Sequence, residues 1–189
     1  MFGASAAAQE QEVDPEWPCI QRLIPEVSPA VMWPVPVEDN MLTQYRQDPL
    51  LRSLAEELGD LETFTETHQQ SISDFANGLS DSEREQQLTL LASGIVDVSN
   101  RIRKDYIRGI KRYTRQQIAI SEQIENTLNE LSRLEGQNAE AQHEVEETLR
   151  WHERVYDQRE RSIQLLCEEP VELEQQLSEV LRYAAQFLP

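Results

Sequence analysis

The chain has 189 residues, of which 39% are hydrophobic and 28% charged, and its formal net charge is −18. That length suits one domain, and a surface so acidic disfavours nucleic acid or an anionic membrane as the partner of the whole molecule. No run approaches the roughly 18 apolar residues of a membrane span, and no catalytic constellation, metal-ligand set or phosphate-cradling loop stands out, so neither an enzyme nor a bound cofactor is expected.

Residues 1–8, ending Ala6-Ala7-Ala8, read like the last residues of a secretory signal peptide. The small residues fit a cleavage site, but the basic and apolar regions that precede one are missing. Two origins fit: an exported protein whose true start lies upstream, or an alanine-rich terminus on a cytosolic one.

Residues 9–47 hold Pro15, Pro18, Pro25, Pro29, Pro34 and Pro36 and show no sustained helical period. This head is expected to be extended or turn-rich, with Trp33-Pro34-Val35-Pro36 favouring polyproline II. Its apolar content (Trp17, Ile20, Leu23, Ile24, Val27, Val31) exceeds that of a solvated linker, so it should strap onto the helices instead of reaching freely for a partner. Cys19 lies in this head and Cys167 near the far end of the body. In an exported chain an even cysteine count points to one disulfide tying the two together; in a cytosolic chain the two would be buried thiols.

Residues 48–189 form the helical body. From Pro49 to Pro170 there is no interior proline, and apolar residues recur every three or four positions, the pattern of long helices packed along a seam. Asp48-Pro49 opens a short helix that ends at Gly59, with Leu50, Leu51, Leu54 and Leu58 along its edge. A second helix is expected from about Asp60, on Leu61, Phe64, His68, Ile72, Phe75 and Leu79, stopped by Asn77-Gly78. A Ser80-Asp81-Ser82-Glu83 capping box restarts the chain.

The third helix is the spine, running from about 80 to 135 with a seam from Leu88 through Ile95, Ile102, Tyr113, Ile120 and Leu131. It would be roughly 80 Å long, with Gly94 and Gly109 as places to bend or to admit a close neighbour. Glu135-Gly136-Gln137-Asn138 breaks it, and a less apolar arm returns over about 138–167. A last helix is expected to start at Pro170. The fold class is therefore all-α: an elongated antiparallel hairpin or bundle with coiled-coil character behind a proline-rich head.

One stretch reverses the charge. Between Arg101 and Arg115 lie seven basic residues and one acid, so the chain's −18 divides into +6 there and −24 elsewhere. At about 100° per residue, Arg101, Lys104, Arg108, Lys111, Arg112 and Arg115 share one arc, with Arg103 alone outside it. The seam lies on roughly the opposite side. Acids of the same chain could neutralise this ridge, with 157–171 opposite it if the hairpin turns at Gly136. An acidic protein partner or a second copy could engage it instead, with Ile107 and Ile118 as flanking apolar anchors. A phosphate-rich ligand would be repelled by the surrounding −24.

Other chemistry is sparse. His68 and His152 fall on seams, where facing histidines could hold a haem or metal inside a bundle. Glu140-Ala141-Gln142-His143 matches one half of a di-iron motif, but no second half exists.

The head itself, Trp17-Pro18-Cys19-Ile20-Gln21-Arg22 followed by Pro25-Glu26-Val27-Ser28 and Trp33, resembles the amino-terminal segment of uncharacterised exported proteins of proteobacteria. The resemblance covers about thirty residues; it implies export and a bridged head, and it supplies no activity. Taken together, the sequence reads as a non-enzymatic interaction or scaffold protein, periplasmic in preference to cytoplasmic, binding an acidic protein or itself. The alternative is a four-helix carrier of a small ligand, haem or metal.

Overall fold

Asp48 starts the helical body as its sequence position demands. Its carboxylate accepts hydrogen bonds from the Leu50 and Leu51 N–H groups at 2.8 and 3.2 Å, two of the donors that a helix start leaves unpaired, and Pro49 follows where no N–H is needed. The computed structural model describes residues 14–189 and is all-α, with no strand among those residues. The alanine-rich start at 1–8 lies outside the described residues.

Six α-helices follow in order: α1 (Pro29–Met32), α2 (Met41–Gln47), α3 (Pro49–Gly59), α4 (Glu66–Asn77), α5 (Asp81–Leu134) and α6 (Ala139–Ala184). A 3₁₀ turn, Ala185–Phe187, closes the chain. The two long helices pack antiparallel. They are joined at Gly136, whose φ of +75° places it in the left-handed region that glycine adopts without a Cβ penalty. Asn138 then caps α6 by accepting from the Glu140 and Ala141 N–H groups.

The core sits at one end of this hairpin. Residues 88–96 of α5 are buried on every side, as are Val98 and Ser99. They are wrapped by Trp33 and Tyr45 of the head, by Leu51, Leu54 and Leu58 of α3, by Ile72 and Ala76 of α4, and by Leu177, Val180 and Leu181 of α6. Small residues make this possible: at Gly94 an added Cβ would come within 2.7 Å of the Tyr45 ring and 2.9 Å of Ala55 Cβ. Buried hydroxyls find partners in the preceding turn, with Ser93 Oγ donating to the Thr89 carbonyl at 2.8 Å and Thr89 Oγ1 to the Glu85 carbonyl at 2.7 Å. From Arg115 to Leu134 the hairpin continues, among the described residues, as two helices alone, an arm of about 29 Å at 1.5 Å per residue.

The structure corrects the sequence reading at four places. The head is not wholly extended: α1 and α2 lie within it, and α2 carries Tyr45 into the core. The second helix starts at Glu66, not Asp60, because Thr65 and His68 close a capping box there, the Thr65 N–H donating to His68 Nδ1 at 3.1 Å. Ser80 forms no backbone cap; its hydroxyl donates to the Glu83 carboxylate instead. Finally, α6 runs unbroken through Pro170. Proline in a helix interior costs about 3 kcal/mol; the burial of Pro170 itself and of Leu173, Leu177, Val180 and Leu181 beyond it offsets that cost.

Candidate interaction site

The arc of cations read from the sequence exists, and the head of the same chain lies on it. Lys104 pairs with Glu26 at 2.5 Å, Lys111 with Asp14 at 2.6 Å and Arg115 with Glu16 at 2.6 Å. Arg101 pairs with Glu56 of α3 at 2.6 Å and lies 4.0 Å from Asp97. Arg108 bonds Asp105 one turn back, and Arg112 makes no ion pair among the described residues. Of the flanking anchors, Ile107 is half-buried and Ile118 is 43% exposed.

The ridge is therefore neutralised from within, but not by the segment the hairpin register suggested. Asp157, Glu160, Glu168 and Glu169 make no ion pair with it; the acids come from the head and from α3. Asp14 shows the effect on its charge. A hydrogen bond from Lys111, and a second from the Glu16 N–H, hold its carboxyl below the usual aspartate range.

Three further contacts fix the head against the hairpin, and each joins residues far apart in sequence. Cys19 and Cys167 form a disulfide between the head and α6, with a Cα–Cα distance of 5.5 Å. Beside it, the Gln21 side-chain amide donates to the Cys167 carbonyl. Asn100 of α5 takes the Val27 N–H at 2.8 Å and donates to the Val27 carbonyl at 2.9 Å. The head thus runs antiparallel to α5 from Arg115 back toward Thr89, where Trp33 Nε1 donates to Thr89 Oγ1 at 3.0 Å.

Arg103 is the residue that the ridge did not include, and it turns inward. Only 4% exposed, its Nε donates to the Ile24 carbonyl at 2.7 Å, its Nη1 to the Pro170 carbonyl at 3.3 Å, and its guanidinium pairs with Glu174. One side chain so joins head, α5 and α6, and the planar fork of arginine suits three partners at once. Its place outside the arc of the other six cations was the sequence signal for this role.

The two histidines do not meet. His68 caps α4 and stacks on Phe64, which in turn packs against Tyr183 of α6. His152 lies beside Thr127, 31 residues earlier along α6 than Tyr183, or about 46 Å at 1.5 Å per residue. Among the described residues no group of three or more His, Cys, Asp or Glu side chains is placed to hold a metal ion. Among the described residues no helix is long and apolar enough to cross a membrane.

On its other edge the head meets α6 along two hollows of about 630 and 720 Å³ that share Val171 and Gln175. Searches of protein-family models, curated proteins and solved structures find no match to this chain.

Proposed function

We propose that the protein is a non-enzymatic helical scaffold, exported to an oxidising compartment such as the periplasm, which holds a two-helix arm and a strapped base toward a protein partner. One observation carries this reading. The core is concentrated at one end of α5, and the strap of disulfide, ion pairs and Asn100 clamp stiffens only that base, leaving an arm of about 29 Å that contributes little to it. The arm displays large apolar side chains, Leu128 at 45% and Trp151 at 58% exposure, which offer a partner apolar contact.

The bridged cysteines support export, since such bonds persist in oxidising compartments, and the resemblance of the head to exported proteins points the same way. The ridge is not the partner surface favoured by this geometry. An acidic partner there would have to displace Asp14, Glu16 and Glu26.

Photo-crosslinking residues placed at Leu128, Trp151 and Val171 in the native cell test the reading. Discrete adducts to a particular protein are expected; their absence at all three positions would remove it. Intact mass of the natural protein under non-reducing conditions checks compartment and bridge together, and free thiols would argue against export.

A further inference from the structure

The strap is fastened to α5 by its acids and to α6 by its cysteine, yet several of its apolar side chains stay open to solvent. Ile20 is fully exposed, Val31 is 83% exposed and Ile24 44%. These border the groove formed by the two adjoining hollows between strap and α6, whose shared wall carries Val171, 37% exposed. Along α6 the groove extends from Ile163 to Arg182, about 29 Å of helix axis. That matches an apolar-faced helix of five turns or so.

The rim has a sign. Glu168, Glu172 and Glu179 line it, spaced by four and seven residues on one stripe of α6, and none makes an ion pair among the described residues. The other two lining acids are already engaged, Glu26 of the strap by Lys104 and Glu174 of α6 by Arg103. Arg182 is the one lining cation.

We propose that this groove docks a lysine- or arginine-rich amphipathic helix of a partner protein. Its aliphatic face covers Ile20, Ile24, Val31 and Val171, and its cations run along the Glu168–Glu172–Glu179 stripe. Two other occupants fit worse. A second copy brings a net charge of −18, with most of its basic ridge already paired. Residues 1–13 contain no lysine or arginine and add Glu10 and Glu12. The proposal rests on the scaffold reading and gives it a partner chemistry.

The test uses the full oxidised protein and a fluorescein-labelled helical peptide of leucine and lysine, leucines at every third or fourth position, followed by anisotropy at physiological salt. Saturable binding at one site is expected. Glu172→Lys with Glu179→Lys should weaken it at least about tenfold, and so should Ile24→Ser with Val171→Ser. The charge-matched pair Glu130→Lys with Glu153→Lys, both exposed on the arm, should change it less than about threefold. Circular dichroism checks that every variant stays helical.

Equal weakening by the arm pair would show attraction to the acidic surface at large and overturn the proposal, as would the absence of saturable binding. A concentration-dependent dimer abolished by the groove substitutions would assign the groove to a second copy and overturn it too. Crosslinks from the arm in cells, together with failure of the peptide assays, would leave the scaffold reading standing without this groove.

Discussion

Asn100 holds Val27 by both of its backbone groups, accepting from the N–H at 2.8 Å and donating to the carbonyl at 2.9 Å. A side-chain amide is the group that offers an acceptor and a donor side by side, so Asn100 gives the extended strap the pairing that a neighbouring strand would give. Asn100→Leu leaves both backbone groups of a half-buried residue unpaired. It should cost about 1–3 kcal/mol. Asn100→Asp keeps the acceptor but sets a carboxylate against the Val27 carbonyl. In both variants the Val27 amide should exchange with deuterium faster than in the parent, while amides in residues 88–96 should not. Unchanged protection at Val27 would remove the clamp from this account.

Two glycines in the middle of α5 should respond in opposite directions. An added Cβ at Gly94 would press on the Tyr45 ring at 2.7 Å and on Ala55 at 2.9 Å, whereas at Gly109 nothing lies within 4 Å. Gly94→Ala is therefore expected to destabilise by about 1–3 kcal/mol through overpacking. Gly109→Ala should stabilise by about 0.5–1 kcal/mol, because a helical glycine loses more backbone freedom on folding than alanine does. Urea midpoints of the two variants decide the matter, and a shift of the same sign in both would contradict the packing described for α5.

These glycines also show where the sequence is readable. Gly94 reads as a place for a close neighbour, and Tyr45 and Ala55 stand there, whereas nothing lies near Gly109; Gly136 and Asp48 announce their turn and cap by local chemistry alone. The arc of six cations follows from helical geometry, and so does the exclusion of Arg103 from it. What occupies the arc does not, because Lys111–Asp14 and Arg115–Glu16 join residues 97 and 99 apart, and no periodicity carries that register. Pro170 misled for a related reason: its local preference is to end a helix, and burial of Pro170 and of the α6 residues beyond it overrides that preference. His68 sat at a seam spacing, yet the neighbouring Thr65 makes it part of a cap.

Stability should fall at both ends of the pH scale through a single cluster. Tyr45 donates its hydroxyl to Asp97 Oδ2 at 2.5 Å, and Arg46 donates to the same oxygen at 2.7 Å. Burial pushes the Asp97 carboxyl up, but the hydrogen bonds from Arg46 and Tyr45 and the charges of Arg46 and Arg101 outweigh it and hold the group below the usual aspartate value. A depressed carboxyl contributes stability that is present above its unfolded value of about 4 and lost as pH falls through the folded value. For Tyr45, burial first and then the Asp97 carboxylate raise the hydroxyl above its ordinary value. That contribution is complete below about pH 10 and lost as pH rises further. Asp97→Asn should flatten the acid limb, and Tyr45→Phe the alkaline one, in urea midpoints measured across pH. Parent and variants with parallel profiles would rule the cluster out as the source.

The disulfide and the ion pairs hold the same strap by means that respond differently to conditions. Cys19 and Cys167 are 148 residues apart, and closing so long a loop contributes on the order of 5 kcal/mol in the chain-entropy model. The pairs Lys104–Glu26 and Arg115–Glu16 are between one-third and three-fifths exposed at every side chain, so each contributes only about 0–1 kcal/mol and weakens with salt. Cys19→Ser with Cys167→Ser should lower the melting temperature by about 10 °C or more. It should also make the strap salt-sensitive for the first time. Trypsin cleavage after the exposed Arg22 then reports the state of the head. In the oxidised parent the rate should vary little with salt, because the covalent bond holds the strap whether or not the pairs are screened. In the serine variant it should rise steeply toward about 1 M salt, where the screening length has fallen to about 3 Å. Equal salt dependence in the two proteins would mean that the bridge does not hold the strap, and that the Asn100 clamp and Arg103 suffice to keep it in place.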